Sequence, residues 1–177
     1  MNNIRKKIVD VISKVGSNFT FNDISKYSDI KKEDLIDIFH NRNQLYYAAL
    51  DLYFEKLHIK QLEIVEDNSL ELKEKIVKLM YVVPDGYDDF HDVARDMGKK
   101  NAHVYEVYVL AKCYESYDLV FKLLDTAVSK NLCKEYSRYV VAVMVINSLQ
   151  ALNLSMKDYN KSKKDIINIV VDGLWLK

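Results

Sequence analysis

Four histidines, two cysteines and one strongly acidic stretch are the groups in this 177-residue sequence most able to do chemistry. His40, His58, His91 and His103 form no HExxH and no HxxxH pair, the spacings that set two imidazoles on one helical face toward a metal. The stretch 85–96, DGYDDFHDVARD, places Asp88, Asp92 and Asp96 on one helical stripe with His91 beside it. A metal site can be drawn from Asp88, His91 and Asp92. A solvated helix whose early acids favour its N-terminal dipole accounts for the same residues and is the preferred reading. A third reading has the acids, beside Tyr87 and Phe90, attracting a cationic, lipophilic molecule. Cys113 and Cys133 lie twenty positions apart with no CxxC. That excludes a disulfide framework and a zinc ribbon and leaves reduced thiols. Spacing assembles no Ser-His-Asp or Cys-His set, and GxGxxG and GxxxxGK[ST] are both missing. The residues make no case for an enzyme, a cofactor or a metal.

The elements that must position these side chains read as helices throughout. Ile4, Ile8, Val11, Ile12 and Val15 share one face at helical spacing, and Gly16 ends that helix. Two short helices follow over about 22–28, with Asp23 in the first turn, and 31–39, with Leu35, Ile38 and Phe39 as its apolar residues. Asn41 can cap a long helix from about 42 to 66, which contains no Gly or Pro. Further helices are expected at about 70–82, after the turn Pro84-Asp85-Gly86 as far as Met97, and at 102–130, 134–154 and 161–176, with Gly98-Lys99-Lys100-Asn101 as a break. With four Gly, one Pro and no sustained period-two alternation, the expected fold class is all-α. It comprises an N-terminal three-helix helix-turn-helix module and a bundle of longer helices.

The 26 basic and 26 acidic residues cancel, so any DNA-binding surface must be local. Residues 1–47 hold eight basic and six acidic side chains, a small positive excess. Tyr139–Met156 contains no charge at all. Asn147, Ser148, Gln150, Asn153 and Ser155 argue against a membrane span, so this helix is either central to one chain or meets a second one. The N-terminus, MNNIRKKIVDVISK, has no long apolar run of a secretory signal, and a cytoplasmic location is expected.

Helix, short helix, turn, short helix is the layout of a helix-turn-helix unit, whose second short helix enters the major groove. Residues 28–45, SDIKKEDLIDIFHNRNQL, resemble the signature of the TetR/AcrR family of bacterial transcriptional regulators, roughly AGVSKGTLYRHFPSKEEL. Ile30, Lys32, Leu35, Phe39 and Leu45 match it outright or conservatively without a gap, and Arg42 stands at the family's lysine. Gly16, Thr20, Asp23 and Ile24 fit the upstream "G…T…DIA" pattern. The departures are Asp29 at the turn glycine, Glu33 at the glycine opening the recognition helix, and Ile36 at the tyrosine that usually contacts phosphate. Asp29 can still adopt a positive φ, less readily than glycine.

The resemblance implies a DNA-binding domain over 1–47, with Thr20, Lys31, Lys32, Asp34, His40, Asn41 and Arg42 at the interface. Lys31, Lys32 and Arg42 would be phosphate anchors, and Asp34 could accept from a cytosine amino group. For Asn41, capping is at least as good an explanation. The resemblance also implies a ligand-binding and dimerisation domain over 48–177. Tyr81, Tyr87, Tyr105, Tyr108, Tyr114 and Tyr117 are its candidate ligand residues, since a buried tyrosine hydroxyl needs a polar partner. Val141, Val145, Leu149, Leu152, Ile166, Val170 and Leu174 are the candidate dimer contacts. The expected protein is a cytoplasmic homodimeric regulator, a repressor released from its double-stranded DNA operator by a lipophilic or cationic effector, with no membrane partner. The rival is a helical interaction protein of the same fold, with a degenerate helix-turn-helix, acting through a protein partner.

Overall fold

A computed structural model describes residues 2–100, 110–151 and 156–176. Among them the regular structure is helical: α1 (Asn2–Val15), α2 (Phe21–Ser28), α3 (Lys32–Phe39), α4 (Arg42–Glu66) and α5 (Leu72–Tyr81), then α6 (Asp88–Lys100), α7 (Leu110–Ser116), α8 (Asp118–Ser129), α9 (Arg138–Ala151) and α10 (Met156–Leu174). The fold is all-α, as the sequence implies. Gly16 ends α1 at φ 83°, its amide donating to the Ile12 carbonyl at 2.8 Å. Thr20 and Asp23 form a capping box at α2, the Asp23 carboxylate accepting from the Thr20 amide at 2.8 Å. The Asn41 Oδ1 accepts from the Gln44 amide at 3.1 Å and opens α4.

Several helix bounds differ from the sequence reading: α9 begins at Arg138 rather than near Lys134, and α10 at Met156 rather than near Lys161. α6 runs through Gly98 to Lys100, because one glycine costs a helix only about 1 kcal/mol and packing outweighs that. The single helix expected over 102–130 is interrupted at Tyr117, between α7 and α8. There the Ser116 hydroxyl donates to the Cys113 carbonyl at 2.8 Å, while the Tyr117 amide is shared between the Cys113 and Tyr114 carbonyls. A hydroxyl competing for backbone in this way loosens a helix without any Gly or Pro.

The chain divides into two compact units, residues 1–57 with 83–112, and residues 58–82 with 113–177. In the first, α1 packs on α2 and α6, and α2 on α3. Ile8, Ile12, Phe19, Ile24, Leu35, Leu45 and Phe90 are fully buried there, each side chain worth about 1.5–3 kcal/mol. In the second, α5 packs on α8 and α10, and α9 on α10. Ile76, Leu124, Val145 and Ile167 fill its centre. Cys113 and Cys133 are both free thiols, and burial pushes Cys113 up to about 11, so it stays protonated at neutral pH.

The end of the chain is tied down within the second unit. Cys133 and Trp175 form an antiparallel bridge, with Lys134 N–H to the Leu174 carbonyl and Leu176 N–H to the Leu132 carbonyl, both 2.9 Å. Lys73 pairs with Asp172 at 2.7 Å and sits 5.6 Å over the Trp175 ring. Among the described residues no helix is long and apolar enough to cross a membrane.

Candidate nucleic-acid interface

The left-handed turn that the motif demands is present. Asp29 takes φ 56° and ψ 26° between α2 and α3, the conformation a glycine would supply more cheaply. The Lys7 ammonium donates to the Ser28 carbonyl at 2.7 Å, holding the end of α2 against α1. α3 rests on two buried side chains, Leu35 and Phe39, one helical turn apart. Lys32, Glu33, Asp34, Ile36, Asp37 and Ile38 are all exposed on it. Lys31 precedes it as an exposed N-cap in extended backbone.

The proposed interface residues fall into two groups. Lys31, Lys32 and Asp34 stand exposed on or beside α3, where a groove could meet them. Thr20, His40, Asn41 and Arg42 are also exposed, and all four have structural duties. Thr20 donates to Asp23 Oδ2 at 2.7 Å within the capping box. His40 ends α3 at φ 56°, and Asn41 caps α4. Arg42 donates to the Ser17 carbonyl, and its guanidinium lies 4.7 Å over the Phe19 ring. It therefore ties α4 to the loop between α1 and α2, a part that the sequence reading as a phosphate anchor did not include.

Arg42→Ala is accordingly expected to lower stability by about 1–2 kcal/mol, from a lost charged hydrogen bond and a lost cation–π contact. For a chain of this size that corresponds to roughly 2–8 °C in melting temperature. Arg42→Lys separates the roles in a thermal melt. Lysine restores a positive charge but not the planar stack, so the melting temperature should stay low.

The candidate effector residues do not come together as one set. Tyr87 belongs to the first unit, half-buried, its ring 6.2 Å from that of Tyr53. Burial, then Asp10 and Glu55, pushes its hydroxyl upward. Tyr53 also bonds His91 Nδ1 at 2.8 Å and stacks on that ring, so the imidazole drawn into a hypothetical metal set is engaged by a phenol. Among the described residues no group of His, Cys, Asp and Glu is placed to hold a metal ion. Tyr81, Tyr114 and Tyr117 belong to the second unit. Tyr114 is exposed, whereas Tyr117 is buried with its hydroxyl held protonated, chiefly by burial and then by Cys113 and Tyr159. Tyr105 and Tyr108 lie outside the described residues.

The candidate dimer residues divide likewise. Val141, Val145 and Val170 are buried inside the second unit of a single chain, so their packing is spent there. Ile166 and Leu174 are half-buried; the side chain of Leu149 and all of Leu152 lie outside the described residues. Among the described side chains, the apolar ones left exposed on the same helices are Tyr139, Val140 and Met144 on α9 and Ile169 on α10, with Tyr139 71% and Ile169 70% exposed. An uncharged sequence conceals this split, because no charged residue recurs at helical spacing to mark the outer face.

Two residues with structural weight escaped the sequence reading. Lys7 carries no local motif. Gln61 is buried, and its only signal is its place one turn after buried Leu57 on α4.

No family model and no curated protein matches the sequence. Solved structures do. A protein from Rhodococcus sp. described as a TetR-family transcriptional regulator superposes at TM-score 0.70 with 14% identity, over 96% of this chain and 97% of that one. A TetR transcriptional regulator from Streptomyces coelicolor gives 0.58 with 16% identity, over 98% and 97%. At such identities the likeness establishes the fold, and the fold is that of the TetR-family regulators.

Proposed function

We propose that this chain, folded as TetR-family regulators are folded, is a homodimeric DNA-binding transcriptional regulator, a repressor released by a small-molecule effector. The observation that supports it best is the exposed polar side of α3, standing on Leu35 and Phe39 directly after a left-handed turn at Asp29. Residues 1–47 would form the DNA-reading head, and residues 48–177 would sense and pair. Two heads on one duplex require half-sites about 34–36 Å apart, or a multiple of that. α6 packs on α1 within one unit, so an effector that shifts α6 would move the head it touches. An effector favouring one head spacing then acts by shifting populations.

A mobility shift with the duplex upstream of the chain's own gene tests the DNA reading. A salt-sensitive shift at micromolar protein or below supports it. No shift at any salt overturns it and leaves an interaction protein of the same fold.

Pairing through α9 and α10 is expected to use Tyr139, Val140, Met144 and Ile169, apolar residues exposed on those helices. Met144→Glu with Ile169→Glu should convert a dimer to a monomer by light scattering, with helicity unchanged. A monomeric mass for the unaltered protein at micromolar concentration removes the homodimer from the reading.

A further inference from the structure

Apart from the buried pair Leu35 and Phe39, the side chains of α3 form three rows along the helix, each joining residues four apart. Glu33 and Asp37 make one row, and Asp34 and Ile38 the next. Lys32, Ile36 and His40 make the third, the His40 amide closing the last turn on the Ile36 carbonyl at 2.8 Å. All three of its side chains are exposed, Ile36 by 38%. Of the three rows it alone lacks a carboxylate. A duplex carries one negative charge about every 1.7 Å along its axis, so it comes closest to α3 along this row. The middle of the row is an isoleucine, which has no hydrogen-bonding atom.

We propose that Ile36 is a specificity residue that reads thymine, by packing on the C5 methyl in the major groove. The inference rests on the DNA-binding reading above and names a base that the head recognises. An aliphatic side chain set against a phosphate or a base acceptor strips water from that group and returns no hydrogen bond. The major groove offers one apolar group, the thymine methyl. Ile36 lies one turn beyond Lys32, the first residue of α3, and so stays near the helix end that a recognition helix turns toward the bases. Lys32 supplies charge for a phosphate, which carries no sequence information, and Ile36 supplies the base preference. Ile38 shares its row with Asp34, whose carboxylate holds that side back from the phosphates.

Copying the duplex upstream of the chain's own gene with deoxyuridine in place of thymidine removes the C5 methyls and keeps every hydrogen-bonding group of the bases. One methyl taken out of water is worth about fourfold in affinity, so the unaltered full chain should bind the thymine duplex at least about fourfold tighter in a mobility shift at fixed salt. Ile36→Ala should bind the two duplexes alike, with its melting temperature unchanged. Ile38→Ala should keep the preference. Equal binding of the two duplexes by the unaltered chain overturns the proposal. So does a preference that survives Ile36→Ala or vanishes in Ile38→Ala. Each of these outcomes leaves the DNA-binding reading standing, because the shift itself remains. No shift with either duplex overturns both.

Discussion

Leu35→Ala is expected to abolish sequence-specific DNA binding. Leu35 is 0% exposed and, with Phe39, is one of two buried anchors beneath the eight residues of α3. A helix that short does not persist without packing. Truncating a fully buried leucine costs about 2–5 kcal/mol, a large part of the roughly 5–15 kcal/mol that holds a domain folded. The loss falls first on α3, so binding in a mobility shift should vanish while much of the far-ultraviolet helix signal remains. Ile38→Ala is the control. Ile38 is half-exposed on the same helix, and its loss should change stability by no more than about 0.5 kcal/mol. If Leu35→Ala binds DNA as the unaltered protein does, α3 is not the reading element.

The second large effect should come from removing negative charge. Glu33 and Asp37 lie one helical turn apart on the exposed side of α3, and neither is in an ion pair among the described residues. Both would face phosphates and repel them. Glu33→Gln with Asp37→Asn should therefore tighten binding to any duplex by about tenfold, equivalent to about 1.4 kcal/mol. Lys31→Ala and Lys32→Ala should each weaken binding and flatten the log–log salt slope by about 0.9. Fluorescence anisotropy at several salt concentrations reads both. The interaction-protein alternative expects no change in affinity or slope from either set.

The head was legible because its signals are local. Gly16, the Thr20–Asp23 capping box, Asp29 at positive φ and the Asn41 cap each follow from a residue type and its immediate neighbours. What escaped depends on distant pairs. Arg42 takes its part from Phe19 and the Ser17 carbonyl, more than twenty residues earlier, so its spacing in the motif suggested phosphate alone. The break at Tyr117 comes from a serine hydroxyl competing for a carbonyl, which leaves no breaker residue to see. In α9 the lack of charge revealed burial but not its direction, and Val141 and Val145 there, with Val170 on α10, all chosen for a partner, are buried in their own unit.

The clasp between Cys133 and Trp175 also has an optical consequence. Trp175 is the sole tryptophan in the sequence, half-buried beside Lys73. Light emitted on excitation at the red edge of protein absorption thus originates from one indole, held in the second unit by a main-chain bridge. Helices α1–α3 contribute nothing to that signal. A change in its colour or lifetime on adding DNA would register at the opposite end of the sequence from the helices proposed to meet the duplex, and would make communication between the two units visible without any attached dye.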